Sequence, residues 1–130
     1  MAVVASEKGH VAKVVGRCLA GWLVGYLISA VSSLLWFVVG KIPPHAPASS
    51  KVMVLTAVYG VFFAALGACV GAGFWRPQAI GIGAAIAVTI GVAGMWSWYE
   101  TPTGAHWTQA IAVLLMAPAA QFGAFFRRED

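Results

Sequence analysis

The chain has 130 residues, of which 61% are hydrophobic and 9% charged, with a formal net charge of +4 at pH 7. Soluble domains carry about 25% charged residues, so this composition excludes a water-soluble globular fold, and the length leaves no room for a separate catalytic domain. The positive balance reads as membrane orientation and attraction to anionic headgroups, worth about 1 kcal/mol per near-surface cation, and not as nucleic-acid binding.

Between Cys18 and Phe126 the charged residues are Lys41, Lys51, Arg76 and Glu100. They cut the sequence into charge-free stretches at about 18–40, 52–74, 79–99 and 107–126. Each is near the ~20 residues that a helix needs to cross a bilayer. The sequence therefore predicts an all-α fold: an integral membrane four-helix transmembrane bundle, with residues 1–130 as a single membrane domain.

Residues 1–17 form a short cytoplasmic N-terminal tail holding Lys8, Lys13 and Arg17. The apolar stretch that follows exceeds the roughly 7–15 residues of a signal-peptide core and is read as a retained span. No lipidation motif is visible, since Met1-Ala2 lacks the myristoylation glycine and the last residues are Arg-Arg-Glu-Asp. Span 1 places Gly21, Gly25, Ser29 and Ser33 on one helical face. Small residues let backbones approach closely, which is what drives helix association in lipid. The loop 41–51 holds Pro43, Pro44 and Pro47, which favour an extended path, and Ser49 or Ser50 is a candidate cap for span 2.

Span 2 offers Gly60, Ala64 and Ala68, and also Gly67 with Gly71. The turn Trp75-Arg76-Pro77-Gln78 is so short that spans 2 and 3 must be antiparallel neighbours, and Pro77 suits the first turn of a helix. Span 3 offers Gly83, Ala87 and Gly91. Its glycines lie inside a span and follow no strand, so a phosphate-loop role fails on context. The next loop carries Thr101-Pro102-Thr103-Gly104, with Thr103 as a candidate cap for span 4. Span 4 has Ala117, Ala120, Gln121 and Ala124, and Pro118 predicts a kink by freeing the Leu114 carbonyl. All these stripes read as packing seams within the bundle; the alternative is that one of them also makes an oligomer or subunit contact.

Basic residues set the expected orientation. Lys8, Lys13, Arg17, Arg76, Arg127 and Arg128 share one side of a four-span chain, against Lys41 and Lys51 on the other. The bias puts both termini in the cytoplasm, N-in and C-in. Aromatic residues mark the same two levels: Trp36, Trp96, Trp98, Tyr99 and Trp107 outside, Trp22, Phe74, Trp75, Phe125 and Phe126 inside. The aromatic-Arg endings Phe74-Trp75-Arg76 and Phe125-Phe126-Arg127 suggest an internal repeat, although any inward-ending hairpin tends to acquire such residues.

Intramembrane ionisable groups are the usual mark of proton relays and ion paths, and none falls at mid-depth here. That argues against a proton-coupled pump. Gln121 reads as an amide bonded across helices, or, with the carbonyl freed by Pro118, as part of a small intramembrane polar site. His45, Glu100 and His106 share the outer side with four tryptophans. Two imidazoles and a carboxylate are a zinc ligand set, but these lie on separate loops without tight spacing, and an ordinary aromatic belt is the competing reading. Cys18 and Cys69 read as free buried thiols. No metal, cofactor or catalytic constellation is expected, so the chain reads as a non-enzyme.

The expected function is an accessory, assembly or stabilising subunit of a larger membrane complex, or a homo-oligomer, with the lipid bilayer and other membrane subunits or itself as partners and no nucleic acid. The alternative is a small transporter or channel for neutral or hydrophobic solutes, acting as an oligomer. Gly/Ala richness suggests a bacterial inner (plasma) membrane.

Overall fold

In lipid every backbone polar group must be satisfied within the chain, so uncharged apolar stretches of this length resolve as helices. The computed structural model describes residues 2–129, with side chains from residue 6 onward. The ends of the expected domain, Met1 and Asp130, lie outside the described residues. Helices α1 (Ala2–Val39), α2 (Ser50–Ala72) and α3 (Ala79–Glu100) are followed by α4 (Trp107–Ile111), a π-helical turn Ala112–Met116, and α5 (Ala117–Phe125). The described residues are all-helical, and four helices are long and apolar enough to cross a membrane: Ser6–Val39, Ser50–Ala72, Arg76–Glu100 and Trp107–Phe125.

Residues 2–17, expected as a tail, continue the first span as helix. Nothing in that segment breaks a helix: it has no proline and no turn cluster. With 38 residues, α1 is about 57 Å long, against a hydrocarbon core of about 30 Å. It ends in a Schellman motif. The Ile42 N–H reaches the Phe37 carbonyl at 3.0 Å and the Lys41 N–H reaches Val38 at 3.3 Å. The left-handed position that usually holds glycine is Lys41, with φ 52°.

Ser49 caps α2, its hydroxyl accepting from the Val52 N–H at 3.3 Å. Pro77 sits in a 3-10 turn, Arg76–Gln78, just ahead of α3. For the fourth span, the capping position is His106 and not Thr103, and no side chain closes it. The break expected at Pro118 takes a specific form. The Ala117 N–H bonds Ala112, five residues back, so the ladder widens in the turn before Pro118. That turn includes Leu114, the carbonyl against which the proline ring would clash.

The helices pack with small residues inside and large ones outside. The buried core is Ala64, Ala68, Ala72, Ala79, Ile82, Ile86, Ile90, Ala120 and Ala124. Leu34, Val88, Val92, Leu114 and Phe122 are each at least 60% exposed. This inversion suits a lipid solvent, where leucines gain little from mutual burial and close backbone approach supplies the association.

Helix α1 packs along α2 and less closely on α3, while α2 and α3 both pack on the fourth span; α1 and that span are opposite corners. The α1–α2 seam is backbone against backbone. A Cβ at Gly71 would collide with the Gly21 carbonyl, and one at Gly25 would lie 2.8 Å from the Gly67 oxygen. Gly83 faces the Ala124 methyl, and Gly123 faces the Ala65 backbone. Ala87 packs half-buried against the core, whereas Gly91 meets nothing within 4 Å.

Hydrogen bonds then fix the register. Trp22 Nε1 donates to Thr89 Oγ1 at 2.8 Å, Trp36 Nε1 to Thr56 Oγ1 at 2.9 Å, and the Tyr59 hydroxyl to the Ser32 carbonyl at 2.9 Å. The two indoles are thus tied across helices, because a half-buried N–H needs an acceptor.

Candidate functional site

At the end of the bundle opposite the termini, the two loops fold over the helices and bond to each other. The prolines keep residues 43–47 from forming secondary structure, leaving backbone carbonyls free to accept. Ala105 N–H donates to His45 O at 2.9 Å, Trp107 Nε1 to Ala46 O at 2.8 Å, and Thr108 Oγ1 to Pro44 O at 3.0 Å. Gly104 is pressed against this strap: a Cβ there would lie 3.2 Å from the His45 oxygen.

Under the strap lies a chamber of about 290 Å³. Its polar lining is Tyr26, Ser29 and Ser33 from α1, His45 from the strap, Ser97 from α3, and Thr108 with Gln109 from α4. Ile90, Ala112 and Met116 contribute apolar walls. Ser29 and Gln109 are each 2% exposed. Below the chamber the bundle closes on Ile86, Ala64 and Ala68, all 0% exposed.

Gln109 organises the chamber wall. Its Nε2 lies 3.2 Å from His45 Nδ1, 3.2 Å from Ser97 Oγ and 3.3 Å from Thr101 Oγ1. Its Oε1 is 3.1 Å from Thr108 Oγ1. An amide nitrogen has two hydrogens and a hydroxyl one. Three acceptors therefore compete for Gln109 Nε2, while Pro44 and Gln109 compete for the Thr108 proton. A network with more acceptors than protons can accept a donor from a guest without leaving a group unpaired.

The outer histidines divide. His45 turns to Gln109, while His106 stacks flat on Trp98, centroids 4.2 Å apart at 5°. His106 Nδ1 is buried without a partner. Glu100 is exposed at the end of α3. Among the described residues no three His, Cys, Asp or Glu side chains come together to hold a metal, so His45, Glu100 and His106 are not one site. Gln121 Nε2 donates to the Ile80 carbonyl at 3.3 Å, reaching α3, and Pro118 is exposed. Cys18 and Cys69 are free and half-buried.

The terminus end is basic and aromatic. Arg17 lies 5.3 Å over the Trp75 ring, and His10 meets the same ring edge-on. Arg76 Nε donates to the Arg127 carbonyl, and Arg127 Nε to Cys69 O, each at 3.1 Å. The second bond places a cation where the carbonyls of α2 end, the favourable pole of the helix dipole.

Gln109, Ser97, Thr108 and Tyr26 were not among the sequence candidates. The available signal was an amide inside an apolar stretch, the same signal that singled out Gln121. Gln109 lies two residues into its span, where an amide is expected to reach water. Only the inward fold of the strap buries it. No protein-family model, no curated protein and no solved structure matches the chain.

Proposed function

We propose that the protein is a non-catalytic multi-pass membrane protein that takes a small, neutral, hydrogen-bonding solute into its loop-end chamber. The chamber lining carries this reading. It offers hydroxyls, an amide and an imidazole, with no carboxylate, ammonium or guanidinium. A charged guest would need a counter-charge at that depth, whereas a neutral one needs only hydrogen-bond partners. The volume, about 290 Å³, is at the small end of ligand pockets, which start near 300 Å³.

Of the two classes read from the sequence, this favours the solute-handling one over the subunit one. Ile86, Ala64 and Ala68 close the bundle beneath the chamber, so passage across it would need a rearrangement, and the π-helical turn in the chamber wall is a suitable hinge. We place both termini in the cytoplasm and the chamber on the outer face of a bacterial inner membrane. The cation count at the two ends supports the orientation, and Gly/Ala richness the membrane.

Thermal unfolding of the purified chain with a panel of glycerol, urea and short amides tests the reading. Saturable stabilisation by at least one solute, lost in Ser29→Val and Ser97→Ala, is expected. No stabilisation across the panel, or stabilisation that survives both substitutions, would overturn it.

The subunit or homo-oligomer reading is supported by a different observation. Gly91 stands open on an apolar groove with Val88, Val92, Met95, Trp96, Tyr99 and Val113, and an outward small residue permits a second helix to approach. The mass of the intact particle in nanodiscs decides it: a larger particle that Gly91→Leu reduces to a monomer supports assembly, and a monomeric wild type removes it.

A further inference from the structure

Serine and threonine hydroxyls in apolar helices commonly bond the carbonyl of the preceding turn. Ser32, Thr89 and Thr101 do so, donating to Ile28, Ala85 and Ser97. Ser29 and Ser33 do not. Among the described residues neither hydroxyl has a hydrogen-bond partner, nor has that of Tyr26, and all three line the loop-end chamber. Positions 26, 29 and 33 share one face of α1, so the free hydroxyls form a ladder about 10 Å long. Ser29 is 2% exposed. It has lost water without gaining a partner, a cost that a guest's hydrogen bond would remove.

The chamber also reaches the surface of the molecule sideways. Its lining comes from α1, the strap, α3 and the fourth span, and α1 packs less closely on α3 than on α2. Ala93 of α3 lines the chamber and is exposed. It lies about 10 Å below Glu100, the end of α3, a level inside a hydrocarbon core about 30 Å thick. On α1 the lining residue Ala30 continues the stripe of Leu23, Leu27 and Leu34, all three exposed. The chamber is therefore polar within and has an apolar rim, Ala30 and Ala93, at acyl-chain depth. A guest that suits both has an uncharged hydroxylated head and an alkyl chain. Hydroxyls donate and accept, so such a head can give protons to the surplus acceptors around Gln109 and take them from the α1 ladder.

We propose that the guest of the chamber is an uncharged single-chain amphiphile of the glyceryl-ether or monoacylglycerol type, entering from the bilayer between α1 and α3. Its head occupies the chamber and its chain leaves between Ala30 and Ala93 into lipid. This rests on the reading of the chamber as a site for a neutral solute and names the class of that solute.

Photolabelling of the full-length chain in phosphatidylcholine nanodiscs tests it. The probe is a dodecyl glyceryl ether with a diazirine in its alkyl chain, and thermal stabilisation by glycerol is measured on the same preparation. Saturable labelling is expected on α1 and α3 around Ala30 and Ala93, competed by unlabelled glyceryl ether and not by dodecane. Ala93→Trp, at an exposed position, should plug the rim and remove the labelling. Ser29→Ala combined with Ser33→Ala should weaken the ether about tenfold, for two lost hydrogen bonds; should that variant misfold, Ala93→Trp decides alone. Glycerol stabilisation without saturable labelling at the rim would overturn the proposal and leave the chamber reading intact, whereas absence of both would overturn both. Labelling that dodecane competes equally, or that Ala93→Trp leaves unchanged, would also overturn it, since either marks an ordinary lipid-facing groove. Labelling that meets every condition while glycerol alone gives no stabilisation supports it, the alkyl chain supplying affinity that the free head lacks.

Discussion

At the scale of single residues, two positions depart from what their neighbours allow. Gln109 is a buried amide serving three acceptors, and replacing it with leucine leaves those groups to find other partners. Gln109→Leu is expected to cost about 1–3 kcal/mol, read as a lower unfolding midpoint in detergent; an unchanged midpoint would mean the network repairs itself with water. Lys41 departs in its backbone, holding φ 52° at the end of α1. A left-handed lysine costs about 1–2 kcal/mol, and an added glycine loses about 0.5–1 kcal/mol in unfolded-chain entropy. Lys41→Gly should therefore raise stability by roughly 0.5 kcal/mol, measured by the same unfolding experiment. Neither position was legible in the sequence. Gly40-Lys41 puts the glycine one residue before the left-handed site, and Gln109 looked like an interfacial residue because the fold of residues 43–47 is set by long-range bonds to Ala105, Trp107 and Thr108.

Among the elements, the small-residue stripes were readable as faces but not as partners. Four-residue spacing marked Gly21, Gly25, Ser29 and Ser33; the first three are buried, and Ser33 lines the chamber half-buried. The same spacing marked Gly83, Ala87 and Gly91, yet that stripe runs from a tight contact with Ala124 out to open space. Periodicity fixes which residues share a side; it contains no information on what lies opposite. The difference is measurable by adding one methyl at each end of the range. Gly71→Ala drives Cβ into the Gly21 carbonyl, and backbone cannot yield as a side chain can, so a loss of about 1–3 kcal/mol is expected. Gly91→Ala meets nothing within 4 Å and should be neutral or stabilising by up to about 1 kcal/mol. Equal effects would show that the α1–α2 seam is looser than its backbone contact implies. In the fourth span the proline was legible and the π turn was not, because a proline demands relief without prescribing its form. Pro118→Ala supplies an N–H for the Leu114 carbonyl. Amide exchange over 113–118 should then slow as the turn tightens to α; unchanged exchange would assign the π turn to packing around the chamber.

For the molecule as a whole, the four spans were legible because the cost of burying charge leaves so few places for Lys41, Lys51, Arg76 and Glu100. The helical continuation of α1 through residues 2–17 was less so, since polar residues there read equally as tail or as helix. That extension matters to orientation, for it holds Lys8 and Lys13 in rigid continuity with the first span, on the end where Arg17, Arg76 and Arg127 gather around Trp75 and the end of α2. Six cations at this end against two at the other favour its retention in the cytoplasm. Cysteines introduced singly at Ser6, Pro47 and Thr103, in a chain whose half-buried Cys18 and Cys69 are replaced by alanine, give the test. With a membrane-impermeant maleimide on intact cells, Pro47→Cys and Thr103→Cys should label, and Ser6→Cys only after lysis. The reverse pattern would sink the cytoplasmic assignment and turn the chamber inward, so that its solute would come from the cell's own pool. Labelling of all three positions in intact cells would mean the chain inserts both ways. In that case cation asymmetry of this size is too weak to orient it, and removing one of the two loop-end cations, by Lys41→Gln, should shift the ratio toward a single orientation.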